Sequence, residues 1–219
     1  MATLKETITG ASVERTRYAR LSYASLILIP KMLQEVLSYY EPTEFIVRDC
    51  CKIKNCFTHT EWLEILNVKH TGYNNFDTSL IYKVIRNLDY NQVIPNPLFN
   101  PRPTNDWDHP HGPGESDLTV GDDLERCRKF RNTIIHKGNS NVTDNELESS
   151  FKSFHDVAAR LETVLKKGHK EFISRFEYLK NCCMDEELEK KYLKEVEECK
   201  KRIGYLEGLF YFKTENLNW

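Results

Sequence analysis

The chain has 219 residues, 40% apolar and 29% charged, which suits one large domain or one domain with an appendage. A net charge of −2 and a pI near 6.4 exclude the overall basic character that accompanies non-specific nucleic-acid binding, so an RNA role would need a local basic site. Residues 1–10 are polar with no apolar signal-like core, and no stretch reaches the length of a membrane-spanning helix. We therefore expect a flexible N-terminus, no membrane association, a cytoplasmic location and, for the seven scattered cysteines, reduced thiols.

Ala11 to Tyr40 predicts a long helix, with Tyr18, Leu21, Leu26, Ile29, Leu33, Val36 and Leu37 along one stripe. Pro30 lies inside that pattern and predicts a kink or break. Glu44 to Cys51 is short and apolar; helix fits its surroundings better than strand. Cys50, Cys51, Cys56 and His59 lack the second ligand pair of a structural zinc site, so buried thiols are the better reading. A short helix follows at His59 to Val68, with Trp62, Leu63, Ile65 and Leu66 turned inward. Phe76 to Leu88 predicts another, capped by Asp77 and buried through Leu80, Ile81, Val84, Ile85 and Leu88. Arg86 near its end is either a partner of the helix dipole or a groove residue.

Residues 89–119 hold six of the eight prolines and predict a long irregular loop, with Trp107 as its anchor and His109 and His111 at its surface. Asp122 to Gly138 then reads as one amphipathic helix, opened by acidic residues and closed by glycine. Leu124, Cys127, Phe130, Ile134 and Ile135 share an arc of roughly 140° at about 100° per residue. Arg131 projects into the middle of that arc, an unusual place for an arginine without a partner. Thr143 and Glu146 have the spacing of a capping box for a further helix, whose stripe runs from Leu147 through Phe151, Phe154, Val157, Ala158 and Leu161 to Val164 and Leu165. The short connection predicts that this helix lies antiparallel to the preceding one. His155 on it reads as a surface residue. Beyond Gly168, helices are expected at His169 to Cys183 and Asp185 to Lys201, followed by an apolar end from Leu206 to Trp219 that would dock on the domain or on a partner subunit.

Arg131-Asn132-x-x-x-His136, followed by a turn and a second long helix, resembles the signature of HEPN domains. The segment Asn75 to Leu88, the Trp107 to Pro110 loop and Gly121 to Arg126 are similar to the HEPN-like domain of the DAZ-interacting protein 3 type RNA-binding ubiquitin ligases and their animal relatives. The likeness covers roughly Ser12 to Leu165. It implies an all-α HEPN-like helical bundle over 11–167, carrying the Pro-rich loop 89–119, with a C-terminal helical extension over 168–219. No run of paired cysteines and histidines of the RING type occurs, so a ubiquitin-ligase role would be at most accessory.

Metal-independent RNA cleavage through the 2′-hydroxyl needs a base, an acid and positive charge at the phosphate. The resemblance implies that Arg131, Asn132 and His136 supply them: Arg131 holding the scissile phosphate, Asn132 orienting His136 or the ribose, and His136 moving the proton. One histidine is thin equipment for two proton transfers. The resemblance implies a homodimer through the signature helix, with a composite Arg/His site that acts on single-stranded RNA. Arg128 and Lys137 are the neighbouring candidates for RNA binding, and no metal or cofactor is implied. The alternative is a non-catalytic helical module for dimerisation or protein partners in signalling or innate defence.

Overall fold

The structure is a computed structural model that describes residues 2–91, 102–137, 140–168 and 170–215, with side chains between residues 13 and 204 of these. The helices are α1 (Ala2–Tyr23), α2 (Ile29–Tyr40), α3 (Ile46–Cys51), α4 (His59–Thr71), α5 (Thr78–Tyr90), α6 (Val120–Ile135), α7 (Asp144–Val164), α8 (Glu171–Asn181) and α9 (Glu186–Glu215). Among the described residues there is no strand. Helix α1 begins at Ala2, so the stretch expected as a flexible lead-in is helical. The apolar chain end from residue 216, the glycine expected to close α6 and residues 92–101 of the Pro-rich loop lie outside the described residues.

Pro30 has its effect one turn upstream. Ala24–Leu28 forms a π-helical turn in which the Ile29 N–H bonds to the Ala24 carbonyl. Proline has no N–H to give and its ring crowds the carbonyl four residues before it, so the ladder widens there and resumes in α2. The predicted break is thus a π turn within a helical run.

The chain forms two compact units, one of residues 1–29 and 129–197 and one of 30–128 and 198–219. In the first unit α7 lies closest to α8 and α1. Phe154 is its centre, fully buried and in ring contact with Phe130 at 4.7 Å and Phe176 at 5.5 Å. The stripe of α7 is buried from Leu147 to Leu161, whereas Val164 and Leu165 are half-buried. No domain boundary separates α7 from α8. Glu162 is 4% exposed and its Oε1 accepts from the Phe172 N–H at 2.5 Å, capping the start of α8, whose own N-cap Lys170 makes no side-chain bond. Arg20 closes the other end by donating to the carbonyls of Lys180 at 2.5 Å and Cys182 at 2.7 Å. Up to residue 197, the segment read as an extension is therefore part of this unit.

In the second unit α3 contacts α4 and α5. Asp77 caps α5 by accepting from the Leu80 N–H at 2.8 Å, and the apolar positions expected on α5 are all buried. A capping box that composition did not single out starts α4: Thr58 Oγ1 accepts from the Glu61 N–H at 3.2 Å and Glu61 accepts from the Thr58 N–H at 2.7 Å. Trp62 and Ile65 are buried as expected, but Leu63 and Leu66 are 49% and 43% exposed. Those two sit on the outer face of α4, because Trp62, Ile65 and Val68 already fill the inner stripe. Of the thiols beside them only Cys50 is buried; Cys51 and Cys56 are exposed. Among the described residues no group of three or more His, Cys, Asp or Glu is placed to hold a metal ion.

One buried acid gives this unit a pH dependence. Glu41 is 3% exposed, and burial, followed by the neighbouring Asp49 carboxylate, pushes its pKa up to about 7. A raised acid pKa means that the folded state holds its proton more tightly than the unfolded chain. The associated stability is complete below the ordinary glutamate value and is lost as pH rises through about 7. Glu41→Gln removes that loss. Urea unfolding at pH 5 and pH 8 is expected to show the variant gaining on wild type by up to about 3 kcal/mol at the higher pH. An equal gap at both pH values would refute the assignment.

Candidate functional site

Helix α6 begins with a reciprocal cap. Thr119 Oγ1 accepts from the Asp122 N–H at 3.1 Å, and Asp122 Oδ2 accepts from the Thr119 N–H at 2.8 Å. Asp122 also accepts from the Thr104 N–H and hydroxyl at 2.8 and 2.7 Å. Burial pushes its carboxyl up, but the hydrogen bonds from Thr104 and Thr119 outweigh this and hold it below its ordinary value. Asp123 pairs with Arg126 at 2.9 Å, and Arg126 donates onward to the carbonyls of Gly114 and Asp117. The acids at the start of α6 therefore fasten the loop as well as matching the helix dipole.

The signature residues of α6 lie in the first unit. Arg131 is only 6% exposed, and its Nη1 donates to Asn132 Oδ1 at 3.1 Å. Asn132 is half-buried and its carbonyl accepts the His136 N–H at 3.0 Å. His136 stands just past the last helical residue and is exposed. So Arg131 and Asn132 are joined side chain to side chain, and His136 lies one turn beyond Asn132, its N–H making the last backbone bond of the helical ladder. Lys137 pairs with Glu146 at 2.7 Å, with 17% of its side chain exposed. Glu146 thus turns to Lys137, and the box expected at Thr143 is made in one direction only, by Thr143 Oγ1 accepting from the Glu146 N–H at 3.1 Å.

Of the apolar arc around Arg131, Leu124, Cys127 and Ile134 are at most 1% exposed. Phe130 and Ile135 are half-buried, and Lys129, Thr133 and His136 beside them are exposed.

Arg128 belongs to the second unit and is tied there. Its Nη2 lies 3.0 Å from Glu125 Oε2 and 2.9 Å from Asp108 Oδ1. Arg86 pairs with the other oxygen of Asp108, so it serves the loop and not the helix dipole. The Tyr82 ring lies beneath both guanidiniums, with centroid distances of 4.6 Å to Arg128 and 5.5 Å to Arg86. Glu125, 2% exposed, accepts from the Tyr82 hydroxyl and from the Asp108 N–H. Burial and then Glu125 push the Tyr82 phenol well above its ordinary range. Nothing in the spacing of the sequence marks this cluster; its one sequence signal is Glu125-x-x-Arg128, a pair one helical turn apart. Trp107 is buried as expected, with its Nε1 donating to Asp89 at 2.9 Å. His109 is half-buried and His111 exposed, their rings 5.6 Å apart.

A sequence model of the DZIP3/hRUL138-like HEPN family matches residues 30–192. The chain belongs to that family. No curated protein and no solved structure gives a match. The matched range contains α8 and reaches into α9, further than the Leu165 limit of the sequence likeness, in keeping with the Glu162 cap that joins α7 to α8. The all-α architecture is that of a HEPN-like bundle. No helix among the described residues is long and apolar enough to cross a membrane.

Proposed function

We propose that this HEPN domain acts on single-stranded RNA as a homodimer, with His136 transferring the proton and Arg131 and Asn132 setting up the phosphate end of the site, without a metal. The observation that carries the reading is the signature cluster. Arg131 donates to the Asn132 side chain at 3.1 Å, and His136 follows one turn later on the same helix end with an exposed side chain. An exposed histidine can exchange protons with a substrate, and histidine titrates near neutrality in general. A two-fold pairing of helix ends would bring two such histidines together, one as base and one as acid.

The burial of Arg131 and the pairing of Lys137 with Glu146 favour a second reading, a non-catalytic RNA-binding or protein-interaction module. Labelled single-stranded RNA incubated in EDTA with wild type and His136→Ala separates the two, with the oligomeric state measured in the same buffer. Cleavage by wild type alone supports the first. A folded, inert wild type supports the second.

A further inference from the structure

Arg86 and Arg128 come from helices far apart in sequence and converge on one carboxylate, that of Asp108. Their side chains are 26% and 27% exposed, whereas Asp108 is the outermost member at 44%. The arginines are oriented from below: the Tyr82 ring lies under both, and Glu125 grips Arg128 through Nε at 3.3 Å and Nη2 at 3.0 Å. Asp108 reaches them from a left-handed backbone with φ of 59°, next but one to Asp106 at 76°. Aspartate enters this region more readily than most L-residues, though less readily than glycine. The loop thus holds an acid over a prepared pair of guanidiniums. Without the Asp108 carboxylate the cluster of Arg86, Arg128 and Glu125 carries one net positive charge, which one phosphodiester balances. Guanidiniums take carboxylate and phosphate oxygens with the same fork.

We propose that Arg86 and Arg128, supported by Tyr82 and Glu125, form a phosphodiester-binding site for single-stranded RNA that the Asp108 carboxylate occupies when RNA is absent. The assignment of RNA rests on the proposed function; the anion site rests on the geometry alone. Tyr90 lies one turn beyond Arg86, 47% exposed, and offers a ring on which a base can stack.

The test is fluorescence anisotropy of the full chain with a labelled 2′-O-methyl oligouridylate, which lacks the nucleophile and stays intact. Asp108→Asn keeps the side chain's shape, and asparagine tolerates positive φ. It is expected to bind about tenfold more tightly than wild type, as removal of one charge-assisted competitor predicts. Its affinity should fall with salt more steeply, by about 0.7 in the log–log slope for one added phosphate contact. Adding Arg86→Gln and Arg128→Gln should abolish the gain. Asp108→Gly, which enters positive φ more readily still, should behave as Asp108→Asn does. Circular dichroism and the unfolding midpoint establish that each variant is folded.

Folded Asp108 variants that bind RNA no more tightly than wild type overturn the proposal. If every variant binds RNA equally, the RNA reading stands and this site falls. If inorganic phosphate stabilises Asp108→Asn against heat through the arginines but no variant binds RNA, the site takes free phosphate and both the RNA assignment and the proposed function fail. Weakening by Tyr90→Ala of RNA binding, with phosphate stabilisation unchanged, supports the polymer as ligand.

Discussion

Replacing His136 by alanine is expected to lower metal-independent RNA cleavage by at least about 100-fold, the usual worth of a positioned proton-transfer group. The structure makes this substitution informative. His136 is exposed and lies past the end of α6, so its side chain contributes little to packing, and a surface change of that kind leaves stability within about 0.5 kcal/mol. Loss of rate with an unchanged unfolding midpoint would therefore be chemical in origin. Arg131 does not offer the same clarity. At 6% exposure it is part of the folded interior, and Arg131→Ala would remove buried contacts as well as charge. Arg131→Lys is the better companion. It retains the positive charge but loses the planar fork, so lost cleavage with retained fold would assign the fork's role. Equal rates for wild type and His136→Ala would remove His136 from the mechanism and leave the interaction module as the reading.

Local signals were legible wherever a few neighbouring residues decide the outcome. Asp77 capping α5 is one case, since cap and acceptor are three residues apart. The helical order itself follows from stripes such as Leu80 to Leu88, whose period is local. Pro30 was legible as a disturbance but not as a π turn, because its neighbours decide whether a crowded ladder breaks or widens. What failed to show was whatever depends on distant partners. Leu63 and Leu66 have the same chemistry as buried Ile65, and the packing of α3 against one face of α4 decides which of them is covered. Which residues of the Arg131 arc are fully covered was hidden for the same reason. Tyr82, Asp108, Glu125 and Arg128 are spread over more than forty positions, and their meeting depends on a loop in which Asp106 and Asp108 turn the chain at positive φ, which no short sequence pattern announces. Charges that looked available on the helix wheel, Arg128 and Lys137, are matched once the chain folds.

Trp107→Ala is expected to destabilise the protein by about 3–4 kcal/mol, within the range for truncation of a buried aromatic. Trp107 is 5% exposed. It meets the Tyr82 ring edge-on at 5.3 Å and donates to Asp89, which also pairs with Arg102 at 3.2 Å. The aspartates on either side of it turn the chain at positive φ, and the ring anchors the turn between them. Removing the ring leaves a cavity beside Tyr82 and frees the Asp89 carboxylate of one donor, two penalties that add to the lost burial. Trp107→Phe separates them. It keeps most of the ring, loses the indole N–H and is expected to cost about 1 kcal/mol. Urea unfolding of the three proteins measures both values. Amide exchange supplies the structural readout: protection at Asp108 N–H, which donates to Glu125 at 2.8 Å, should fall sharply in Trp107→Ala and persist in Trp107→Phe. A Trp107→Ala protein as stable as wild type would mean that Thr104, Asp122 and Arg126 hold the loop without the ring, and that the fastening at the start of α6 is sufficient by itself.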